Sequence, residues 1–102
     1  MYLIQLLLPL HDNDKQPFPI QHFDTVRRTL TERFGGVTAF LRSPAVGLWK
    51  EGADELTHDE VVMFEVLSSD LDHAWWARYR IELQDKFLQD ELLVWASNIT
   101  KL

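Results

Sequence analysis

The sequence predicts an α+β sandwich in which two helices cover one face of an antiparallel sheet. Along its 102 residues the hydrophobic patterns follow the order strand, helix, strand, strand, helix, strand. The stretch from Leu71 to Ile99 combines a helix that has a broad aromatic face with a following apolar strand. A helix face of this width can cover a sheet, which favours a sandwich over a helical bundle.

The composition indicates one globular domain spanning residues 1–102. The 46% apolar share is enough for a hydrophobic core, and the absence of cysteine excludes disulfides and thiolate metal sites. Ten basic against sixteen acidic residues leave a formal charge of −6, which disfavours nucleic acid and anionic membranes as partners.

The apolar run from Tyr2 to Leu10 resembles neither a signal peptide nor a membrane span. No basic residue precedes it, it contains Gln5 and Pro9, and acidic residues rather than a small-residue cleavage site follow it. We therefore expect a soluble, cytoplasmic protein that makes no membrane contact.

The first half of the chain predicts a strand, a long loop and a helix. Residues 2–8 are nearly all apolar and form the first strand, and residues 9–19 contain three prolines and form a surface loop. Apolar residues then recur at helical spacing from about Ile20, and Gly35-Gly36 supplies the left-handed residue that closes a helix.

Two further strands follow. Residues 37–41 are rich in strand formers, Ser43-Pro44 breaks or bulges the strand, and strand character resumes at Val46 to Trp49. The polar segment from Lys50 to Glu60 predicts a turn or hairpin loop, and residues 61–67 alternate as the third strand.

The second helix is predicted to begin after Ser69, which precedes Asp72 by three residues, with Ser68 and Asp70 as alternative caps. It ends near Gln89, and residues 92–99 form the fourth strand. Its broad apolar arc is expected on the sheet, and a narrower arc is expected to receive the other helix. The broad arc contains Leu71, Trp75, Trp76, Tyr79, Leu83 and Phe87; the narrow arc contains Ala74, Ala77, Ile81 and Leu88.

This element order is the split βαβ pattern of the ferredoxin-like fold. In that βαββαβ arrangement the four-stranded antiparallel sheet has the order 4-1-3-2, with both helices on one face. The first and third strands then lie at the centre, in agreement with their apolar composition.

The sheet face away from the helices is predicted to be too apolar for a monomer, because Leu3, Leu7, Met63 and Leu67 would lie on it. A second copy of the chain is the expected cover, which predicts a homodimer. Alternatively, the loop of residues 9–19 or the C-terminal residues 100–102 could fold over this face.

Gln5 and Glu65 are the polar interruptions of that apolar face. A carboxylate among apolar neighbours could act as a general base or anchor a ligand. The commoner alternative is that Glu65 pairs with Arg42 of the adjacent strand or lies in water at a rim.

Three further residues complete the candidate ligand pocket, and no metal site is predicted. Trp49 precedes a polar loop and could stand at a pocket mouth, and Arg42 and Tyr79 could face a cavity. The acidic and histidine residues at 11–14 and 58–60 lack the spacing of a known metal site.

The residues Phe34-Gly35-Gly36-x-Thr38, Gly47-x-Trp49, Glu65-Val66 and Trp75-Trp76, with Phe87 and Gln89-Asp90-Glu91, resemble those of small bacterial proteins of ferredoxin-like fold. That family has no assigned activity, so the resemblance implies a fold and transfers no catalytic residue.

Two functions from different classes remain. The first is a small homodimer without catalysis that could bind a small ligand. The second is a cofactor-independent enzyme of the dimeric α+β barrel kind, a monooxygenase or isomerase acting on a small hydrophobic substrate. The enzyme requires Glu65, His11, Arg42 or Tyr79 to face an enclosed cavity of roughly 300 Å³ or more. No cofactor is predicted for either.

Overall fold

The computed structural model describes residues 1–42 and 60–102, and six elements lie within them. Their bounds are β1 Tyr2–Pro9, α1 Ile20–Phe34, β2 Thr38–Arg42, β3 Val61–Ser68, α2 His73–Lys86 and β4 Val94–Asn98. The predicted break at Ser43-Pro44, the strand from Val46 to Trp49 and most of the following turn lie outside the described residues.

The four strands form one antiparallel sheet in the order β2-β3-β1-β4. This is the predicted order 4-1-3-2 read from the other edge, so the predicted sheet is confirmed. β1 and β3 lie at its centre and pair over eight residues, from Tyr2 opposite Ser68 to Pro9 opposite Val61.

The core lies between the sheet and both helices, because alternate side chains of the central strands point to that side. Ile4, Leu6 and Leu8 of β1 are each at most 1% exposed. They join Phe64 and Val66 of β3 in one apolar cluster, to which α1 contributes Val26 and Leu30, and α2 contributes Trp76, Tyr79 and Leu83. Two helices on one face of this sheet are consistent with a ferredoxin-like fold.

The helix α1 ends where the glycine pair predicted it would. Gly35 has φ 84°, in the left-handed region, and its backbone N–H donates to the Thr31 carbonyl oxygen at 2.8 Å. A residue without Cβ adopts this conformation at little cost, which closes the helix.

The predicted cap of α2 is wrong by three residues. Asp72 is the N-cap, and its Oδ1 accepts a hydrogen bond from the backbone N–H of Trp75 at 3.1 Å. Ser68 and Asp70 instead bond to each other in the preceding turn. A carboxylate at the N-cap also interacts favourably with the helix dipole, an advantage that Ser69 lacks.

The helices meet through aromatic rings, and the prediction that an alanine-rich arc would pack against α1 is wrong. Phe34 of α1 stacks on Trp76 with a centroid distance of 5.5 Å and meets Trp75 edge-on at 5.6 Å. The narrow arc is exposed instead. The broad arc covers the sheet and also reaches α1, because its rings are long enough to do both.

The left-handed position of Gly35 gives a prediction about stability. Gly35→Val should lower the free energy of unfolding by about 1 to 2 kcal/mol, because a side chain at φ > 0 strains the backbone. The added Cβ meets no atom within 4 Å, so the strain is confined to the backbone.

Gly36→Val is the matched control, since Gly36 has no positive φ and its Cβ would also meet no atom within 4 Å. Urea denaturation should therefore give a lower free energy of unfolding for Gly35→Val than for Gly36→Val. Equal stabilities would contradict the assigned helix end.

Candidate functional site

The sheet face away from the helices carries apolar side chains that the described part of the chain leaves partly uncovered. Phe40 of β2 is 41% exposed, Leu67 of β3 is 45% exposed and Trp95 of β4 is 38% exposed. Leu3 and Leu7 of β1 are half-buried on the same face. Clustered exposed apolar groups of this kind are typical of a binding surface.

Four residues form a row across this face, one from each strand. The register places Thr38 opposite Glu65, Glu65 opposite Gln5, and Gln5 opposite Trp95. Neighbours across a sheet are about 5 Å apart, so their side chains lie within contact of each other. We call these four residues the sheet-face row.

Gln5 and Glu65 are in direct contact at the centre of the row. The Gln5 Nε2 donates to the Glu65 Oε2 at 2.6 Å and lies 3.3 Å from the Met63 Sδ. The sequence placed both residues on one face, and the structure shows that they are in direct contact. The amide holds the carboxylate in one orientation without neutralising its charge.

The alternative that Glu65 pairs with Arg42 is not supported by the backbone. Arg42 lies opposite Val61, whereas Glu65 lies opposite Thr38, so their strand positions are about 13 Å apart. Among the side chains that the structure describes, which do not include that of Arg42, the ion pairs join Arg27 to Asp24 and Arg33 to Asp72.

Trp95 belongs to the row, although the sequence indicated it only as part of a strand. Its position opposite Gln5 turns the indole to the uncovered face, while Val94 faces the core side. The alternation of β4 would have shown that Trp95 and Val94 lie on opposite faces. Only the register with β1 shows that Trp95 neighbours Gln5.

The two segments of the chain that could have folded over this face, residues 9–19 and 100–102, do not lie on it. The loop after β1 turns to the helix side, where the Phe18 ring contacts Phe87 at a centroid distance of 5.1 Å. At the other end of the chain, Lys101 and Leu102 are exposed.

Tyr79, one of the predicted ligand-pocket residues, lies in the hydrophobic core. It is 6% exposed, and its ring contacts Trp75 and Trp76. Burial raises the pKa of the Tyr79 phenol to about 12, opposed by a hydrogen bond with the Thr29 side chain and aided by the charge of Glu82. Trp49, the remaining candidate, lies outside the described residues.

His11 lines an open cavity of about 290 Å³ on the helix side, at the far end of β1. The other lining residues are all apolar: Leu10, Pro17, Phe18, Ile20 and Phe23. The cavity is not enclosed, and neither Glu65 nor Tyr79 lines it. Of the groups that the enzyme hypothesis places in such a space, His11 is present, but the hypothesis requires an enclosed cavity and this one is open.

The described ranges, which exclude residues 43–59, contain no group of three His, Asp or Glu residues that could hold a metal ion. His58 and Asp59 of the second acidic segment fall in the excluded range. Among the same residues, neither helix has the length and apolar character needed to cross a bilayer.

Comparison with known proteins identifies a similar fold and no family. No family model and no curated protein sequence matches the chain. A solved structure described as a phage SAM lyase in complex with S-methyl-5'-thioadenosine is similar, with a TM-score of 0.61 and 14% sequence identity. The match covers 94% of this chain and 79% of that one.

This likeness corrects the expectation of a protein without catalysis. The structure that shares the fold is that of an enzyme, so the enzyme alternative is the better supported of the two. The mistaken prediction arose because the sequence contains no recognisable catalytic motif, and Glu65 alone was more simply explained as a paired or solvated side chain.

The buried phenol of Tyr79 predicts a loss of stability in strong alkali. The folded-state pKa of about 12 lies above the ordinary value of 10. The protonated phenol therefore contributes fully to the free energy of unfolding below pH 10, and this contribution is lost as pH rises towards 12. The full difference corresponds to at most about 3 kcal/mol.

Urea denaturation between pH 9 and 11.5 should show a shallower decline of stability for Tyr79→Phe than for the parent. Tyr2→Phe, which removes the chain's other tyrosine, measures the part of the decline that does not depend on Tyr79. Parallel declines for the parent and Tyr79→Phe would contradict the assignment.

Proposed function

We propose that this protein is a cofactor-independent lyase that cleaves S-adenosylmethionine on the uncovered face of its sheet. The observation that carries the proposal is the sheet-face row, in which the Gln5 amide holds the Glu65 carboxylate on one side and neighbours the exposed Trp95 indole on the other. The likeness of the fold to a SAM lyase supports this substrate.

The chemistry of the row suits the substrate. S-adenosylmethionine is a sulfonium cation that carries an adenine ring on one arm and an amino acid on the other. A carboxylate attracts the sulfonium charge, and an indole offers a stacking surface for the purine or a π-face for the cation. Glu65 and Trp95 lie two strands apart, about 10 Å, a distance that an extended sulfonium nucleoside can span.

A lyase reaction at this site requires no co-reactant. The bond between the sulfonium sulfur and Cγ of the amino acid arm breaks, and its electron pair stays on sulfur to give neutral S-methyl-5'-thioadenosine. The four-carbon fragment either closes onto its own carboxylate as a lactone, with no proton transfer, or loses a Cβ proton to form an alkene. In the second route the Glu65 carboxylate would accept that proton.

These routes differ from the monooxygenase and isomerase chemistry suggested by the sequence. A monooxygenase requires molecular oxygen, and an isomerase keeps all atoms of the substrate in one product. Lyase chemistry on a cationic substrate instead makes use of a carboxylate and an indole together, which is what the row provides.

The proposal predicts that the purified protein releases S-methyl-5'-thioadenosine from S-adenosylmethionine. Glu65→Gln should lower kcat/KM at least about 100-fold, because it removes the charge that attracts the sulfonium substrate and the base that accepts the Cβ proton in the alkene route. Glu32→Gln, an equivalent change on the exposed side of α1, should remain within about twofold of the parent.

Chromatography of the nucleoside and amino acid products measures both activity and route. Heat-inactivated protein corrects for spontaneous breakdown of the substrate. A parent protein that releases no more product than this background would contradict the proposal, and the identity of the four-carbon product would distinguish the lactone from the alkene.

We further infer that the domain is of ferredoxin-like fold, belongs with the small bacterial proteins that its sequence resembles, and acts in the cytoplasm. The element order and sheet order support the fold. The proposed substrate is a metabolite of the cell interior, which supports the location.

We also propose that two copies associate through the uncovered face, with contact made by Phe40 and Leu67 on either side of the row. The face of a four-stranded sheet of this length covers about 400 Å², roughly half of what each partner in a stable interface buries. Association should therefore be weak, and substrate should compete with it because both occupy the same face. It is also opposed by the Glu65 carboxylates, which a two-fold arrangement would bring towards each other.

Sedimentation equilibrium tests this association with two opposite substitutions. Leu67→Lys should keep the chain at its monomer mass of 12.0 kDa, whereas Glu65→Gln should strengthen association by removing the repulsion. Met63 is less suitable as a probe because it is only 4% exposed within one copy. A parent at monomer mass up to about 100 μM would contradict the proposed dimer.

A further inference from the structure

We infer that Glu65, positioned by Gln5, makes the sheet-face row selective for a positive charge on the ligand, so that the site holds the sulfonium substrate and releases its neutral thioether product. This inference rests on the proposed function, because it takes the row as the place where the sulfonium binds. It goes beyond that function by naming the residue that sets specificity and the step that frees the product.

The first step of the argument is the charge of the site. In the described residues the polar partner of the Glu65 carboxylate is the neutral Gln5 amide, and no ion pair reaches it. Glu65 is the one charged residue of the two central strands, because β1 contains none and β3 contains no other. The row therefore presents a negative charge that a ligand can complement.

The second step is the surroundings of that charge. Half-buried Leu3 and Leu7 and the nearly buried Met63 lie beside Gln5 and Glu65 on the same face. Apolar neighbours lower the local dielectric constant, which strengthens attraction between a carboxylate and a cation. They also favour a cation attached to an apolar carbon skeleton over a strongly hydrated metal ion.

The third step is the change of charge during the reaction. Cleavage of the carbon–sulfur bond converts the sulfonium into a neutral thioether, so the attraction to Glu65 disappears when the bond breaks. In this arrangement the indole of Trp95 stacks on the purine ring, which substrate and product share. Glu65 therefore distinguishes the two states, and Trp95 does not.

The fourth step is the role of Gln5. Its Nε2 donates to Oε2 of Glu65 at 2.6 Å, which orients the carboxylate while leaving Oε1 available to a ligand. A lysine or arginine at this position would neutralise the carboxylate, and an apolar residue would leave it free to rotate. Gln5 is therefore a positioning residue.

Two stable analogues of the same size test the inference by isothermal titration calorimetry. One is sinefungin, which carries an amine-bearing carbon in place of the sulfonium and is cationic there at pH 7. The other is S-adenosylhomocysteine, which is neutral at sulfur. The parent should bind sinefungin about tenfold more tightly than S-adenosylhomocysteine.

Glu65→Gln should bring this ratio close to one by weakening sinefungin alone. Glu32→Gln should retain the parent ratio, and Trp95→Ala should weaken both ligands while preserving the ratio. A ratio near one in the parent, binding of neither ligand, or an unchanged ratio in Glu65→Gln would overturn the inference.

A salt titration of the parent gives the same information without any substitution. From 20 to 500 mM NaCl, the affinity for sinefungin should fall several-fold more than the affinity for S-adenosylhomocysteine, because salt screens the additional charge. An equal decline for the two ligands would overturn the inference even if the Glu65 variant failed to fold.

The results also separate this inference from the proposed function. A parent that distinguishes the analogues but releases no thioadenosine would retain the charge-selective site and lose the lyase activity. A parent that cleaves S-adenosylmethionine but binds the two analogues equally would retain the activity and lose the role assigned to Glu65.

Discussion

The antiparallel pairing of β1 with β3 is the interaction on which the remainder of the structure depends. It joins residues that are about sixty positions apart in sequence and forms the centre of the sheet. One side of this pair, built on Ile4, Leu6 and Phe64, forms the floor of the core that both helices cover. Without the pair, β2 and β4 would have no central strand to bond to, and the helices would have no common surface.

The same pairing builds the candidate site. Because side chains alternate along a strand, the register that directs Leu6 and Phe64 to the core also directs Gln5 and Glu65 to the opposite face. A slip of one residue would bury the carboxylate in the core, at a high desolvation cost, and expose the leucines. The register that stabilises the core is therefore also what keeps the polar pair together.

The sequence predicted those parts of the fold that depend on periodicity. The strand and helix order, the central position of β1 and β3 and the end of α1 at Gly35 follow from local patterns and from the conformational freedom of glycine. The cap at Asp72 was missed because several neighbouring residues can cap a helix. The exposed alanine arc was missed because helix packing depends on which rings reach across the interface.

The candidate site was predictable only in part, because contacts between strands depend on how the strands are aligned. Gln5 and Glu65 stood out as polar residues in apolar strands, and alternation placed both on one face. Their direct contact, and the neighbourhood of Trp95, depend on the alignment of three strands, which no single strand pattern specifies. Helical spacing placed Tyr79 on the apolar face of its helix, but such spacing does not distinguish a ring in the core from a ring that lines a cavity.

The alternation of β1 has a consequence for how such a protein can change over evolution. Residues 4, 6 and 8 hold the core, and residues 3, 5 and 7 face outward, so one short strand carries two sets of positions under different constraints. The outward set can vary in size and charge while the inward set preserves the architecture. A chain with this division can acquire a new ligand by a few substitutions on one face and keep its shape.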